Sequence, residues 1–202
     1  MMRRLFVITV LLNAALLAAC NEKRPGRTQF PFEEITEGDL AFRCGRGIFS
    51  RAVLSADGSS VYSHVGIVVR EGERWKVVHA VPGERESSRD FDRVKKEDLE
   101  IFFSPDKAYR GCLVHTGLPA GSSVCKDALD FARDSIPFDN RYELEDTSAV
   151  YCTEFVWLLY RRAGIDLTEG RRREIHAFHV DGPLILPEHI LQYSGNTEYY
   201  KY

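Results

Sequence analysis

Two six-residue runs, Val65–Arg70 (VGIVVR) and Trp75–Ala80 (WKVVHA), are dense in β-branched and aromatic side chains, and only Glu71-Gly72-Glu73-Arg74 separates them. Such side chains pack well on a pleated surface, and a gap of hairpin length joins them, so this stretch is committed to an antiparallel strand pair. The rest must build around it. Asp39–Phe42 reads as a short strand after a Gly turn, and Leu99–Phe103 and Tyr109–His115 as two further strands. Arg46–Leu54 reads as a helix with Ile48, Phe49, Val53 and Leu54 on one side. Two later helices are expected. Ser122–Asp134 carries a Ser cap and directs Val124, Ala128, Leu129 and Phe131 inward, while Cys152–Ala163 is strongly apolar and stops at Gly164. Strands in succession with helices at both ends imply an α+β domain, an antiparallel sheet with helices packed on one side.

The first twenty residues stand apart. Arg3 and Arg4 precede an apolar stretch, Leu5 to Leu17, too short to span a bilayer as a mature helix, and Ala18 and Ala19 lead into Cys20. This is the pattern of a secretory signal. Its end, Leu17-Ala18-Ala19-Cys20, resembles the bacterial lipobox, which implies cleavage before Cys20 and acylation of its sulfur. Asn21 follows, not the Asp that retains many lipoproteins at the inner membrane, so an outer-membrane anchor facing the periplasm is expected. Residues 1–19 are thus read as signal peptide, 20–34 as lipidated Cys and tether, and 35–202 as the folded domain. Pro25, Gly26 and Pro31 suit the tether. Without the signal, 25 basic residues face 30 acidic ones, a net charge of −5. A mildly acidic chain with no long basic run excludes nucleic acid as the expected partner. The expected partners are a small peptide or acyl substrate and, through the anchor, the membrane; no oligomeric state is read. Four cysteines remain beside Cys20, and an oxidising envelope permits at most one bridge among Cys44, Cys112 and Cys125, with Cys152 kept free.

Cys152 stands in Tyr151-Cys152-Thr153-Glu154-Phe155, where an irregular polar stretch gives way to a helix. A thiol in a helix's first turn meets unsatisfied N–H groups and the positive dipole end, which favour thiolate. His64 begins the first strand of the hairpin and His79 lies near the end of the second, so antiparallel pairing makes them cross-strand neighbours. One imidazole to take a thiol proton and one to orient it is the arrangement that nucleophilic catalysis by Cys requires.

The series Gly38-Asp39-Leu40-Ala41-Phe42, Ser63-His64-Val65-Gly66-Ile67, Val78-His79-Ala80, Pro137-Phe138-Asp139 and Tyr151-Cys152-Thr153-Glu154-Phe155-Val156 resembles the permuted papain-like cysteine hydrolases of the YaeF/YiiX group, within the NlpC-like superfamily. Leu186-Pro187-Glu188-His189-Ile190 is similar to the Pro-led short helix that closes such domains. The resemblance spans most of residues 36–193 and implies a circularly permuted papain-like fold. It implies Cys152 as nucleophile, His64 as general base and His79 as third, orienting residue, where much of the group has Glu. The implied chemistry is acyl transfer through a thiolate–imidazolium pair and an acyl-enzyme. The oxyanion would be held by the Cys152 N–H and a side chain, for which Tyr151 is a candidate, and no metal or organic cofactor is required. In an envelope compartment the leading expectation is an amidase or peptidase acting on peptidoglycan-derived peptides. A lipid- or ester-directed acyl hydrolase or transferase, and a catalytically silent peptide-binding lipoprotein, are the alternatives.

Other features have two readings each. His176 and His179, with Asp181 near, have i, i+3 spacing that could ligate zinc in a third, metal-dependent hydrolase reading, but the HExxH pattern is missing and Gly182-Pro183 follows, so a polar loop is expected. Glu154 could meet a substrate ammonium or serve the helix N-terminus. Arg171-Arg172-Arg173 could meet phospholipid or substrate carboxylates but is expected as a solvated run, and Tyr199-Tyr200-Lys201-Tyr202 could line the cleft or pack on the domain.

Overall fold

The expected hairpin is present and is tighter than its spacing suggested. β2 (His64–Glu71) and β3 (Arg74–Val81) pair antiparallel from Ile67↔Val78 out to Glu71↔Arg74, leaving Gly72 and Glu73 as a two-residue loop. Gly72 adopts a φ of 61°, which a hairpin loop of this length demands and glycine supplies without steric cost. The coordinates are a computed structural model and describe residues 30–85, 87–119, 121–144, 146–177 and 180–201. Residues 1–29, where the signal segment, Cys20 and most of the tether are expected, lie outside the described residues.

Six strands form one antiparallel sheet in the order β4-β3-β2-β1-β5-β8. β1 (Leu40–Gly45) and β5 (Ala108–His115) lie close to the expected strands. β4 (Arg93–Asp98) was not expected: its sequence, RVKKED, reads as a solvated run, yet it pairs with β3 from Lys76↔Asp98 to Val81↔Arg93. The segment read as a strand, Leu99–Phe103, is instead a one-turn helix, α2 (Leu99–Phe102). It turns Leu99 and Phe102 into the protein and leaves Ile101 exposed. Of the aromatic tail, Tyr199, Tyr200 and Lys201 belong to β8 (Thr197–Lys201), which pairs with β5, and Tyr202 lies outside the described residues.

One face of the sheet carries Leu40, Phe42, Val65, Ile67, Val69, Val78, Ala80 and Val114, all buried with helices α3 (Val124–Arg133) and α4 (Cys152–Arg162) in a single core. Because strand side chains alternate, Arg43, His64, His79 and Glu97 turn to the opposite face, where α2 brings Phe102 over them. Helix α1 (Ile48–Asp57) leaves Ile48 and Phe49, at its start, 68% and 47% exposed. It leaves β1 at the end of the sheet and buries only Asp57. β6 (Arg173–Ala177) and β7 (Val180–Leu184) form a separate hairpin in place of the expected loop, and α5 (Pro187–Leu191) is the expected Pro-led turn of helix. No helix among the described residues is long and apolar enough to cross a membrane.

Candidate active site

α4 begins at Cys152 because Tyr151 is extended, at φ −96° and ψ 169°, and the backbone turns helical immediately after it. Two hydrogen bonds clamp this start. Thr153 Oγ1 donates to the Ile185 carbonyl at 2.6 Å, and the Ile185 N–H donates to Tyr151 Oη at 3.1 Å. Tyr151 is buried and therefore anchors α4 to the segment before α5. Glu154 is buried as well and accepts the Tyr151 N–H at 3.4 Å, so of its two readings the helix N-terminus is the one its contacts serve.

The backbone N–H groups of Val65, Thr153 and Cys152 itself lie near the Cys152 sulfur and favour its charged form. Val65 follows His64, so the helix start and the first strand of the hairpin meet at this sulfur. His64 Nε2 and His79 Nδ1 are 2.8 Å apart. His64 lies diagonally from His79, two residues from the strand position facing it, and that position is Gly66. A Cβ there would stand 2.9 Å from the His79 Cβ, so glycine is what lets the second imidazole reach the first. All four described cysteines, Cys44, Cys112, Cys125 and Cys152, are free thiols.

Cys152 keeps part of its surface open, but its sulfur is crowded, and burial pushes the thiol up to about 11 despite the three N–H donors and the Arg43 charge. Burial also holds His64 well below its ordinary value, with the Arg43, His79 and Lys107 charges acting the same way. Both directions favour the neutral thiol and the neutral imidazole, the opposite of the thiolate–imidazolium pair that the resemblance implies.

Two neighbours escaped the sequence reading. Behind His79 stands Glu97 on β4, with Oε1 3.1 Å from His79 Nε2, although the N–H is not aligned for a strong hydrogen bond. Lys107 bonds the other carboxylate oxygen, Arg43 Nη1 lies 3.5 Å from Oε1, and Glu84 completes the cluster by pairing with both cations. Burial opposes the charge on Glu97, but His79 and Lys107 bring its carboxyl down to about 2. Phe102 closes this pocket, its ring centroid 5.8 Å from that of His64, 5.2 Å from that of His79 and 4.4 Å from the Arg43 guanidinium. The second neighbour is Tyr142, held at a φ of 60° by Asp139, whose carboxylate accepts the Arg141 and Glu143 N–H groups at 2.8 and 2.6 Å. Burial, and then the nearness of a Cys152 charge, push its hydroxyl up to about 12. An aromatic residue at positive φ is a local signal, but only the structure brings it near enough to feel a Cys152 charge.

The remaining candidates lie apart. His176 Nδ1 pairs with Asp181 at 2.6 Å on the exposed β6–β7 hairpin, so the helical i, i+3 face does not exist there, and His179 lies outside the described residues. Among the described residues no three or more His, Cys, Asp or Glu are grouped to hold a metal ion. A cavity of about 270 Å³ at the other end of β1 is lined by Asp39, His115 and five neighbours. Asp39 is already occupied there by Thr36, His115 and Tyr199.

No protein-family model matches the sequence, and no curated protein matches it. Among solved structures the chain is similar to the metalloprotein YiiX from Escherichia coli O157:H7, with a TM-score of 0.68 and 19% identity over 83% of this chain and 97% of that one. The likeness is one of fold, an α+β arrangement with an antiparallel sheet and helices.

Proposed function

We propose that this chain is a cysteine hydrolase of permuted papain-like topology, acting by acyl transfer to Cys152. One observation carries the reading. The sulfur at the first residue of a helix lies near the backbone of Val65, whose neighbour along the chain, His64, holds its imidazole 2.8 Å from that of His79. The YiiX-like fold supports it, since the group named from the sequence motifs shares that architecture.

His64 spends Nε2 on His79, which leaves Nδ1 as the base. As the sulfur attacks a carbonyl carbon, the thiol proton passes to His64 Nδ1, so a neutral pair becomes charged only along the reaction. The Cys152 N–H and the Tyr142 hydroxyl hold the oxyanion. The tetrahedral species collapses, the C–N bond breaks, and the His64 proton goes to the leaving amine. Water, deprotonated by His64, then hydrolyses the thioester and frees Cys152. YiiX is described as a metalloprotein, but here His64 Nε2 and His79 Nδ1 face each other and His79 Nε2 faces Glu97. These donors do not converge on a shared centre, and no step is routed through a metal.

The leading substrate class is the amide of peptidoglycan-derived peptides. One feature favours the lipid- or ester-directed alternative. Five of the seven large apolar side chains exposed among the described residues, Ile48, Phe49, Val61, Phe91 and Tyr109, lie at the end of the sheet where His64 starts β2. A lipid anchor on Cys20 would keep either enzyme at the outer membrane, and loss of palmitate labelling in Cys20→Ser tests it. The decisive experiment incubates the protein with muropeptides and short-chain thioesters and reads products by mass. Turnover with a trapped acyl-enzyme on Cys152, abolished in folded Cys152→Ala, is expected; inertness toward both panels, with ligand binding unchanged in Cys152→Ala, would establish the binding-protein alternative.

A further inference from the structure

Two neutral imidazoles meeting Nε2 to Nδ1 can share their proton in either direction. If His64 donates to His79, His64 Nδ1 keeps its lone pair and can accept a thiol proton. If His79 donates to His64, the neutral His64 carries its hydrogen on Nδ1 and is no base at that atom. The 2.8 Å contact alone does not choose between them.

We propose that Glu97 is a positioning residue that sets the direction of this proton chain, a role that rests on the cysteine-hydrolase reading for its effect on rate but not for its effect on tautomers. On β4, Glu97 lies opposite Val77 and therefore diagonally from His79 on the same face of the sheet. Its side chain is 14% exposed and is held by Lys107 and Arg43. The two cations keep it ionised, and an ionised carboxylate only accepts. The nitrogen facing it, His79 Nε2 at 3.1 Å, must then carry the hydrogen. A neutral His79 with Nε2–H has its lone pair on Nδ1 and receives the His64 Nε2–H, which frees His64 Nδ1. The contact need not be a well-aligned hydrogen bond for this, since the field of a buried charge is sufficient to select between tautomers. Glu97 also offsets Arg43 and Lys107, which would otherwise oppose a positive charge on His64 during turnover. The third residue of the site is thus an imidazole with a carboxylate behind it.

The test is ¹⁵N NMR of the histidine side chains in the full chain at neutral pH, with assignments from His64→Gln and His79→Gln. Wild-type protein is expected to show hydrogen on Nε2 and an unprotonated Nδ1 for both residues; a hydrogen on Nδ1 of either one overturns the proposal without any variant of Glu97. In Glu97→Gln, whose amide can donate as well as accept, a reversed or mixed pattern is expected. A fall in kcat on the order of tenfold or more with little change in KM should accompany it. Unchanged tautomers and unchanged kcat in folded Glu97→Gln also overturn it. Wild-type tautomers as expected in a protein that turns over no acyl substrate would refute the hydrolase reading and leave the proton order standing.

Discussion

Gly66 lies beneath His79: a methyl carbon added to it would stand 2.9 Å from the His79 Cβ and 2.5 Å from Val77 Cγ1. Gly66→Ala therefore forces either β3 away from β2 or His79 away from His64. An overpacked site of this kind costs about 1–3 kcal/mol, and activity should fall by more than the lost stability accounts for. Urea unfolding together with kcat/KM separates the two effects; a fully active, equally stable variant would show that the strand spacing does not hold the imidazole pair.

A thiol at about 11 has about 100-fold less thiolate at pH 7 than one at the ordinary 9. Cys152 in the resting protein is accordingly expected to react sluggishly with iodoacetamide at neutral pH and to accelerate only toward pH 11. Peptide mass mapping across a pH series distinguishes it from Cys112 and Cys125, which burial raises to about 12. Reaction of Cys152 that titrates between pH 5 and 7 would contradict the neutral resting pair.

Acid should weaken the fold before the carboxylates titrate. His64 and His79 are both held below their ordinary 6.5 by burial, so below that pH the unfolded chain binds protons that the native one refuses. Stability then drops by about 1.4 kcal/mol per pH unit for each such imidazole until the native group itself protonates. Glu97 has the opposite sign: its contribution is complete above 4.5 and is lost as pH falls through about 2. Urea midpoints from pH 8 to 5 should show the slope, and His64→Gln should reduce it; superimposable flat profiles would rule the linkage out.

Tyr142→Phe removes the side-chain donor proposed for the oxyanion and nothing from the core. A loss on the order of 100-fold in kcat is expected, the usual cost of one such donor. Stability should be nearly unchanged. Full activity would return the role to backbone N–H groups alone.

How legible this site is in the sequence varies from residue to residue. His64 and His79 follow from two β-rich runs and the short gap between them, because hairpin pairing is a local matter of register. Glu97 was hidden because RVKKED looks solvated, and its burial is tolerable only where Arg43 and Lys107, from other parts of the chain, neutralise it. The exposure of Ile48 and Phe49 has a related cause. Helical periodicity reports which side of a helix is apolar, and the sheet lies elsewhere.

By itself the amino-acid order determined the hairpin, the helix that opens at Cys152 and the succession His64, His79, Cys152, since steric preference and periodicity operate over a few neighbouring residues. Only the tertiary structure decided the carboxylate behind His79, the nearness of Tyr142 to Cys152 and the enclosure that pushes the thiol up. Those depend on charge and enclosure within a few ångströms of an atom, and segments as distant as β1, β4 and the residues before β5 supply them.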